Sequence, residues 1–292
     1  MSAGERLPGT PVPMHRWDGH GGVTIAGDTW GDPKGQLVML LHGGGQTRHA
    51  WKGAGETLGN SGYHAVAYDA RGHGDSGWAE TAEDYAPDCM VEDLVCVARA
   101  LGSDNPILVG ASMGGGTSLL SIGLNKVDAA ALVLVDIAPK TEPEGSRKIQ
   151  EFMSQKPDGF DTLEEVAEAI ANYQPHRKRP RNLDGLAKNV RLGSNGKYRW
   201  HWDPKRRAGQ RINSDYRARL HDCADTLELP TLLVRGGLSN VLSEEGARSF
   251  LEQVPHAEYV NVANAAHMVA GDRNDIFAGS VVEFLNRVAP AR

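Results

Sequence analysis

Residues 107–116 read Ile107-Leu108-Val109-Gly110-Ala111-Ser112-Met113-Gly114-Gly115-Gly116. A strand-like apolar run passes directly into a G-x-S-x-G pentapeptide, and a helix-like stretch continues to Leu124. A sharp strand-to-helix turn of this kind projects a serine hydroxyl from the top of a sheet. Small flanking residues keep the turn free of clashes, and the helix that follows offers free N–H groups and the positive end of its dipole. The plainer alternative is a glycine-rich turn that packs a helix closely on a strand. The strand before it and the helix after it weigh against that alternative.

Outward from this junction, short apolar runs predict strands at Leu37–Leu41, His64–Tyr68, Pro106–Val109, Ala131–Val135, Thr231–Val234 and Glu258–Val262. Most are continuous rather than alternating, as expected of parallel strands buried on both faces. Between them, Met90, Leu94, Val97 and Leu101 mark one face of a helix, as do Phe277, Val281, Phe284, Leu285 and Val288 near the C-terminus. This βαβα alternation implies an α/β fold with a mostly parallel sheet and helices on both faces. Val23–Trp30, flanked by glycines, reads as part of an antiparallel edge hairpin.

The alternation stops between about Pro139 and Leu229, a gap too long for a structureless loop. Leu163, Val166, Ala167 and Ile170 give the gap an amphipathic helix, and an aromatic patch follows at Tyr198-Arg199-Trp200-His201-Trp202. The expected organisation is a core domain from residues 1–139 and 226–292, with a mainly helical cap inserted at 140–225. Charge separates the two as well. Residues 176–219 carry 14 basic side chains against Asp184, Asp203 and Asp215, a net +11, while the remaining 17 basic and 34 acidic groups give −17. These cations read either as a solvated surface paired with the acidic core or as a pocket mouth that draws in anions, with Arg177, Arg179 and Arg181 as one fork among them. Tyr198, Trp200 and Trp202 would form either the cap's own core or an apolar wall of that pocket.

Composition excludes several classes. About half of the 292 residues are apolar or glycine, which provides for a sizeable core and excludes disorder as the overall state. The longest purely apolar run, Ala129–Val135, falls far short of the ~18 residues that suggest a membrane span. Residues 1–13 lack the apolar segment of a signal peptide. Cys89, Cys96 and Cys223 fit neither a disulfide framework nor a zinc site. A cytoplasmic protein without cofactor or metal is expected. Its partner should be a small molecule, and an anionic one on the sharper reading. Neither nucleic acid nor membrane is expected, and a homodimer stays open.

Two further segments carry chemistry. Leu40-Leu41-His42-Gly43-Gly44-Gly45-Gln46 follows a strand, and its glycines let backbone N–H groups approach a developing oxyanion. Gly44 would supply one amide and Met113, after the serine, the other. His42 reads as structural, orienting this loop. His267 lies after the last strand and just before the C-terminal helix, the position for a general base.

Taken in order, His42-Gly43-Gly44-Gly45, Asp69-Ala70-Arg71-Gly72-His73-Gly74-Asp75-Ser76, the elbow at Ser112 and the late His267 resemble a capped serine hydrolase of the α/β-hydrolase superfamily. The likeness spans roughly residues 20–139 and 225–290. It implies acyl transfer to water, with Ser112 as nucleophile, His267 as base and a carboxylic ester as default substrate. Cleavage of an activated C–C or C–N bond in a small carboxylate is the runner-up. A cofactor-free oxygenase or a non-catalytic receptor on the same fold is the alternative class. Epoxide hydrolases and dehalogenases, which place Asp at the elbow, are disfavoured. The loop at 69–77 would shape the floor of the site or serve as a plain turn. In many relatives the acid follows the strand after the cap, where this chain has Asn240; a minority place it one strand earlier, where Asp136 stands. Asp136 is the expected acid, the other possibility being that Asn240 alone orients the base.

Overall fold

The computed structural model describes residues 3–176, 183–206 and 215–291. Eleven strands lie among them: β1 (Glu5–Arg6), β2 (His15–Asp18), β3 (Thr24–Trp30), β4 (Leu37–Leu41), β5 (His64–Tyr68), β6 (Ile107–Ala111), β7 (Ala131–Val135), β8 (Val190–Leu192), β9 (Tyr198–Trp200), β10 (Thr231–Gly236) and β11 (Glu258–Val262). The helices are α1 (Lys52–Asn60), α2 (Pro87–Ala100), α3 (Met113–Gly123), α4 (Pro143–Ser154), α5 (Leu163–Tyr173), α6 (Tyr216–Asp225), α7 (Glu244–Gln253), α8 (Val269–Asp272) and α9 (Asn274–Val288). None of the described helices is long and apolar enough to cross a membrane.

Eight strands form one sheet in the order β11-β10-β7-β6-β4-β5-β3-β2. The pairs from β11 across to β5 are parallel, and β3 and β2 close the far edge antiparallel, as the hairpin reading of Val23–Trp30 anticipates. Alternate residues of each buried strand feed opposite cores. Leu37, Met39 and Leu41 of β4 belong to the apolar cluster that includes residues of α2, α3, α6 and α7, whereas Val38 and Leu40 belong to the one that includes residues of α1 and α9. This α/β sandwich sets the C-terminal ends of β4, β6, β7 and β10 side by side, where open parallel sheets carry their ligands.

Between β7 and β10 lie α4, α5, β8, β9 and α6. Among the described residues of this stretch, two short strands accompany the helices. β8 and β9 pair antiparallel, and β1, from the start of the chain, adds to β8 as a third strand. Phe160, Val166, Leu186, Val190, Trp200 and Trp202 form a separate apolar cluster, with the two indoles stacked 4.8 Å apart. The last helix of the stretch, α6, lies on the main sheet's side. Leu220, Cys223 and Ala224 belong to the core cluster beside α3.

The elbow glycines are set by contact. A Cβ on Gly114 would lie 2.3 Å from the Leu41 carbonyl oxygen, and one on Gly110 would lie 2.5 Å from the Gly114 backbone. Gly114→Ala should therefore destabilise the fold by about 3 kcal/mol. Gly279, exposed in α9 with open space around it, should instead gain about 0.5–1 kcal/mol on mutation to Ala. Denaturant midpoints of the two variants check this contrast.

Candidate active site

Ser112 sits between β6 and α3 with φ 47° and ψ −112°, a backbone conformation seldom adopted by a residue with a side chain. Its N–H donates to the Val135 carbonyl (3.1 Å) and its carbonyl accepts from Gly116 (2.9 Å), so the turn is held from both sides. Asp136, at the end of the neighbouring β7, is also at positive φ (51°) and is 0% exposed. Its carboxylate accepts from the Gly236 amide (2.9 Å), the Ser239 hydroxyl (2.5 Å) and His267 Nδ1 (2.6 Å). The structure thus brings Asp136 to His267. Asn240 lines the cleft beside His267, but no hydrogen bond joins it to the imidazole among the described residues. Ser239 is a partner that sequence reading missed; its hydroxyl also accepts from the amides of Val241 and Leu242.

The loop 43–46 runs beside Ser112, and a Cβ on Gly43 would lie 3.4 Å from that of Ser112. Three of its amides are engaged: Gly43 donates to Gln46 Oε1 (2.9 Å), Gly45 to His73 Nε2 (3.2 Å) and Gln46 to the Gly43 carbonyl (3.1 Å). The Gly44 amide has no acceptor among the described residues. The Met113 amide opens α3, where first-turn N–H groups lack a partner within the helix. Among the described residues, the loop beside Ser112 thus leaves the Gly44 amide without an acceptor, and the Met113 amide lies one residue after the serine.

Three buried imidazoles hold this loop, and their partners fix their tautomers. Ala70 N–H donates to His42 Nε2 (3.0 Å), so His42 Nδ1–H donates to the Gly43 carbonyl (2.8 Å). Gly45 N–H donates to His73 Nε2, so His73 Nδ1–H donates to the Arg71 carbonyl (3.2 Å). Gly74 N–H donates to His201 Nδ1 (2.9 Å), which leaves His201 Nε2–H to donate to the Gly45 carbonyl (3.3 Å). His42 is structural, as its position suggested. His73 and His201 receive no role of their own from the sequence, yet together they tie the segment after β9 to the loop after β5. The 69–76 loop is more than a turn. Buried Asp69 accepts from the Arg48 backbone (2.7 Å) and guanidinium (2.6 Å), and Arg71 grips Asp93 through two 2.7 Å bonds.

A cleft of about 520 Å³ opens against His267, a volume suited to a small molecule. Phe152 and Tyr173, from α4 and α5, and Met268 line its apolar side. Trp200 and Trp202 belong to the separate apolar cluster, although Trp202 also reaches to within 3.5 Å of where a Gly45 Cβ would lie. Several cations of the 176–219 stretch are paired: Arg191 with Asp75 (3.0 Å), Lys197 with Asp161 (3.0 Å) and Arg219 with Asp88 (2.6 Å). Arg177, Arg179 and Arg181 lie outside the described residues.

Comparison with known proteins follows the same lines. A family model described as serine aminopeptidase, S33 matches residues 32–274. An esterase of Mycobacterium tuberculosis, Rv0045c, is 30% identical over 246 residues, spanning 81% of this chain and 78% of the relative. Its crystal structure has a TM-score of 0.72 at 28% identity, covering 95% of this chain and 92% of that one. A 3-hydroxybutyrate-oligomer hydrolase of Cupriavidus necator is 27% identical over 284 residues, 91% of this chain and 93% of the relative. The structure of an E-2-(acetamidomethylene)succinate hydrolase shares the fold, with a TM-score of 0.79 at 21% identity over 93% of this chain and 98% of that one.

Burial pushes the pKa values of His73 and His201 well below 6.5 and lowers that of His42, so each imidazole is neutral when folded. In the unfolded chain each protonates near pH 6.5, so the unfolded state binds more protons below that value and stability falls as pH drops. Each such imidazole adds a slope of up to about 1.4 kcal/mol per pH unit. The melting temperature should therefore decline steeply from pH 6.5 to 5, before carboxylates titrate. A flat profile over that window would contradict the neutral trio.

Proposed function

The chain belongs to the serine aminopeptidase S33 family of α/β hydrolases and is an α/β-fold serine hydrolase; within that family we propose that it hydrolyses small carboxylic esters through an acyl-enzyme on Ser112. The observation that carries this reading is the 2.6 Å contact between the buried Asp136 carboxylate and His267 Nδ1. With the proton held on Nδ1, Nε2 is free to act as base.

In the first step Ser112 Oγ attacks the ester carbonyl carbon while His267 Nε2 takes its proton. The tetrahedral oxyanion accepts from the Gly44 and Met113 amides, donors already fixed before the charge develops. His267 then returns the proton to the departing alkoxide as the C–O bond breaks. Water enters, gives a proton to His267 and attacks the acyl-enzyme; the bond from the acyl carbon to Oγ then breaks, His267 returns the proton to Ser112 Oγ, and the acid is released. Asp136 stabilises the imidazolium formed in both halves without itself taking the proton. The part of the insertion that carries α4 and α5 acts as a cap over the cleft, with these two helices bounding the substrate, while α6 belongs with the core. No step calls for a metal or cofactor.

The choice of an ester leans on two relatives, one named an esterase and the other a hydrolase of 3-hydroxybutyrate oligomers, which are chains of ester links. Turnover against a panel of esters, thioesters, lactones and vinylogous diketones tests the reading, with esters expected to be cleaved fastest. Ser112→Ala should abolish that turnover, and full retention would overturn the assignment. Asp136→Asn should lower kcat by about three to four orders of magnitude, as when a triad carboxylate becomes an amide. Asn240→Ala should be far milder, and a reversal of the two effects would remove Asp136 from its role.

A further inference from the structure

Arg206 ends a turn laid on the loop after β5. The turn is fixed at several points: Asp203 N–H donates to the Gly72 carbonyl (2.8 Å), the Tyr85 hydroxyl to Asp203 Oδ2 (2.7 Å), and the Lys205 ammonium to the Ala79 and Glu80 carbonyls (2.8 and 2.9 Å). The Arg206 side chain consequently lies over Gly72 and against Met113, and the residue is only 3% exposed.

This guanidinium is poorly satisfied. Among the described residues its Nε has no partner, and Nη2 faces the Met113 thioether at 2.8 Å, a weak acceptor. Every other buried arginine among the described residues meets a carboxylate: Arg48 has Asp28, Asp69 and Asp75, Arg71 has Asp93, Arg191 has Asp75, and Arg235 has Glu244. The nearby Asp203 carboxylate is taken by Tyr85 and the Lys205 amide. Burial pulls the Arg206 pKa down to about 10, against the opposing influence of Tyr85 and Asp203. A buried cation left this way is costly by several kcal/mol unless an anion completes it.

We propose that Arg206 binds a carboxylate of the substrate, so that the preferred esters are half-esters of short dicarboxylic acids. The inference rests on the reading of Ser112 as nucleophile. Met113 sets the distance, since its thioether touches the guanidinium while its amide faces the scissile carbonyl. Carboxylate and ester carbonyl must then be separated by only a few atoms of acyl chain. Arginine suits the task, because its planar fork pairs with both carboxylate oxygens.

The test compares kcat/KM for p-nitrophenyl hemiglutarate with that for p-nitrophenyl pentanoate, its neutral counterpart. The hemiglutarate should be favoured at least about 10-fold, and Arg206→Gln should reduce that ratio by about 10–100-fold, the worth of a charge-assisted hydrogen bond. A second arm needs no turnover. Glutarate should raise the melting temperature of Ser112→Ala, and should do so far less in Ser112→Ala/Arg206→Met. A wild-type ratio near one, a ratio unmoved by Arg206→Gln, or equal glutarate stabilisation in both backgrounds would overturn the proposal. Failure of all ester turnover with glutarate binding intact would instead count against the esterase reading alone.

Discussion

The contact between Asp136 and His267 imposes more on this chain than any other. A carboxylate with no exposure must have its charge met locally, and here a backbone amide, a hydroxyl and an imidazole meet it. All three come from beyond the 95-residue stretch that separates β7 from β10 (136–230), so the contact requires β7 and β10 to be neighbours. It also requires Asp136 to leave its strand at positive φ, which turns the side chain toward β10. Ser112 does the same one strand over, and the two strained residues lie at adjacent strand ends. The strain is held by the parallel ladder beneath, whose buried strands leave it little room to relax.

A second arrangement follows from backbone accounting. Buried N–H and C=O groups need partners, and the glycine-rich loop after β4 has too few neighbours in the sheet to supply them. Histidines fill that need, and only in neutral form can each both donate and accept. His201 brings the inserted segment into this scheme, so that the loop carrying the Gly44 amide is braced by chain far away in sequence. Asp75 ties the same region together, meeting Arg6 of β1, Arg48 of the core and Arg191 of β8.

The sheet was largely legible from the sequence, because buried parallel strands announce themselves as short apolar runs and their helices as 3.6-residue periodicity. Ser112 was legible because its neighbours on both sides are local. Asp136 and Asn240 could be told apart only by strand adjacency, which spacing along the chain does not reveal. His73 and His201 carry no local signal, since each is defined by a partner remote in sequence. β8 and β9, three residues each, are too short for periodicity to register. Helix α6 falls inside the insertion because the strand–helix alternation breaks between about Pro139 and Leu229, yet its Leu220, Cys223 and Ala224 are enough to dock it on α3. Arg206 was one cation among 14, and only its surroundings set it apart.

The account's central claim is that Asp136, through His267, activates Ser112. The most direct measurement is the rate at which a serine-directed fluorophosphonate labels the protein, read by intact mass and peptide mapping at pH 7.5. The account predicts a single adduct on Ser112 in the native protein, formed at least about 100-fold more slowly in Asp136→Asn. An adduct on another residue, or equal labelling rates in the two proteins, would contradict it.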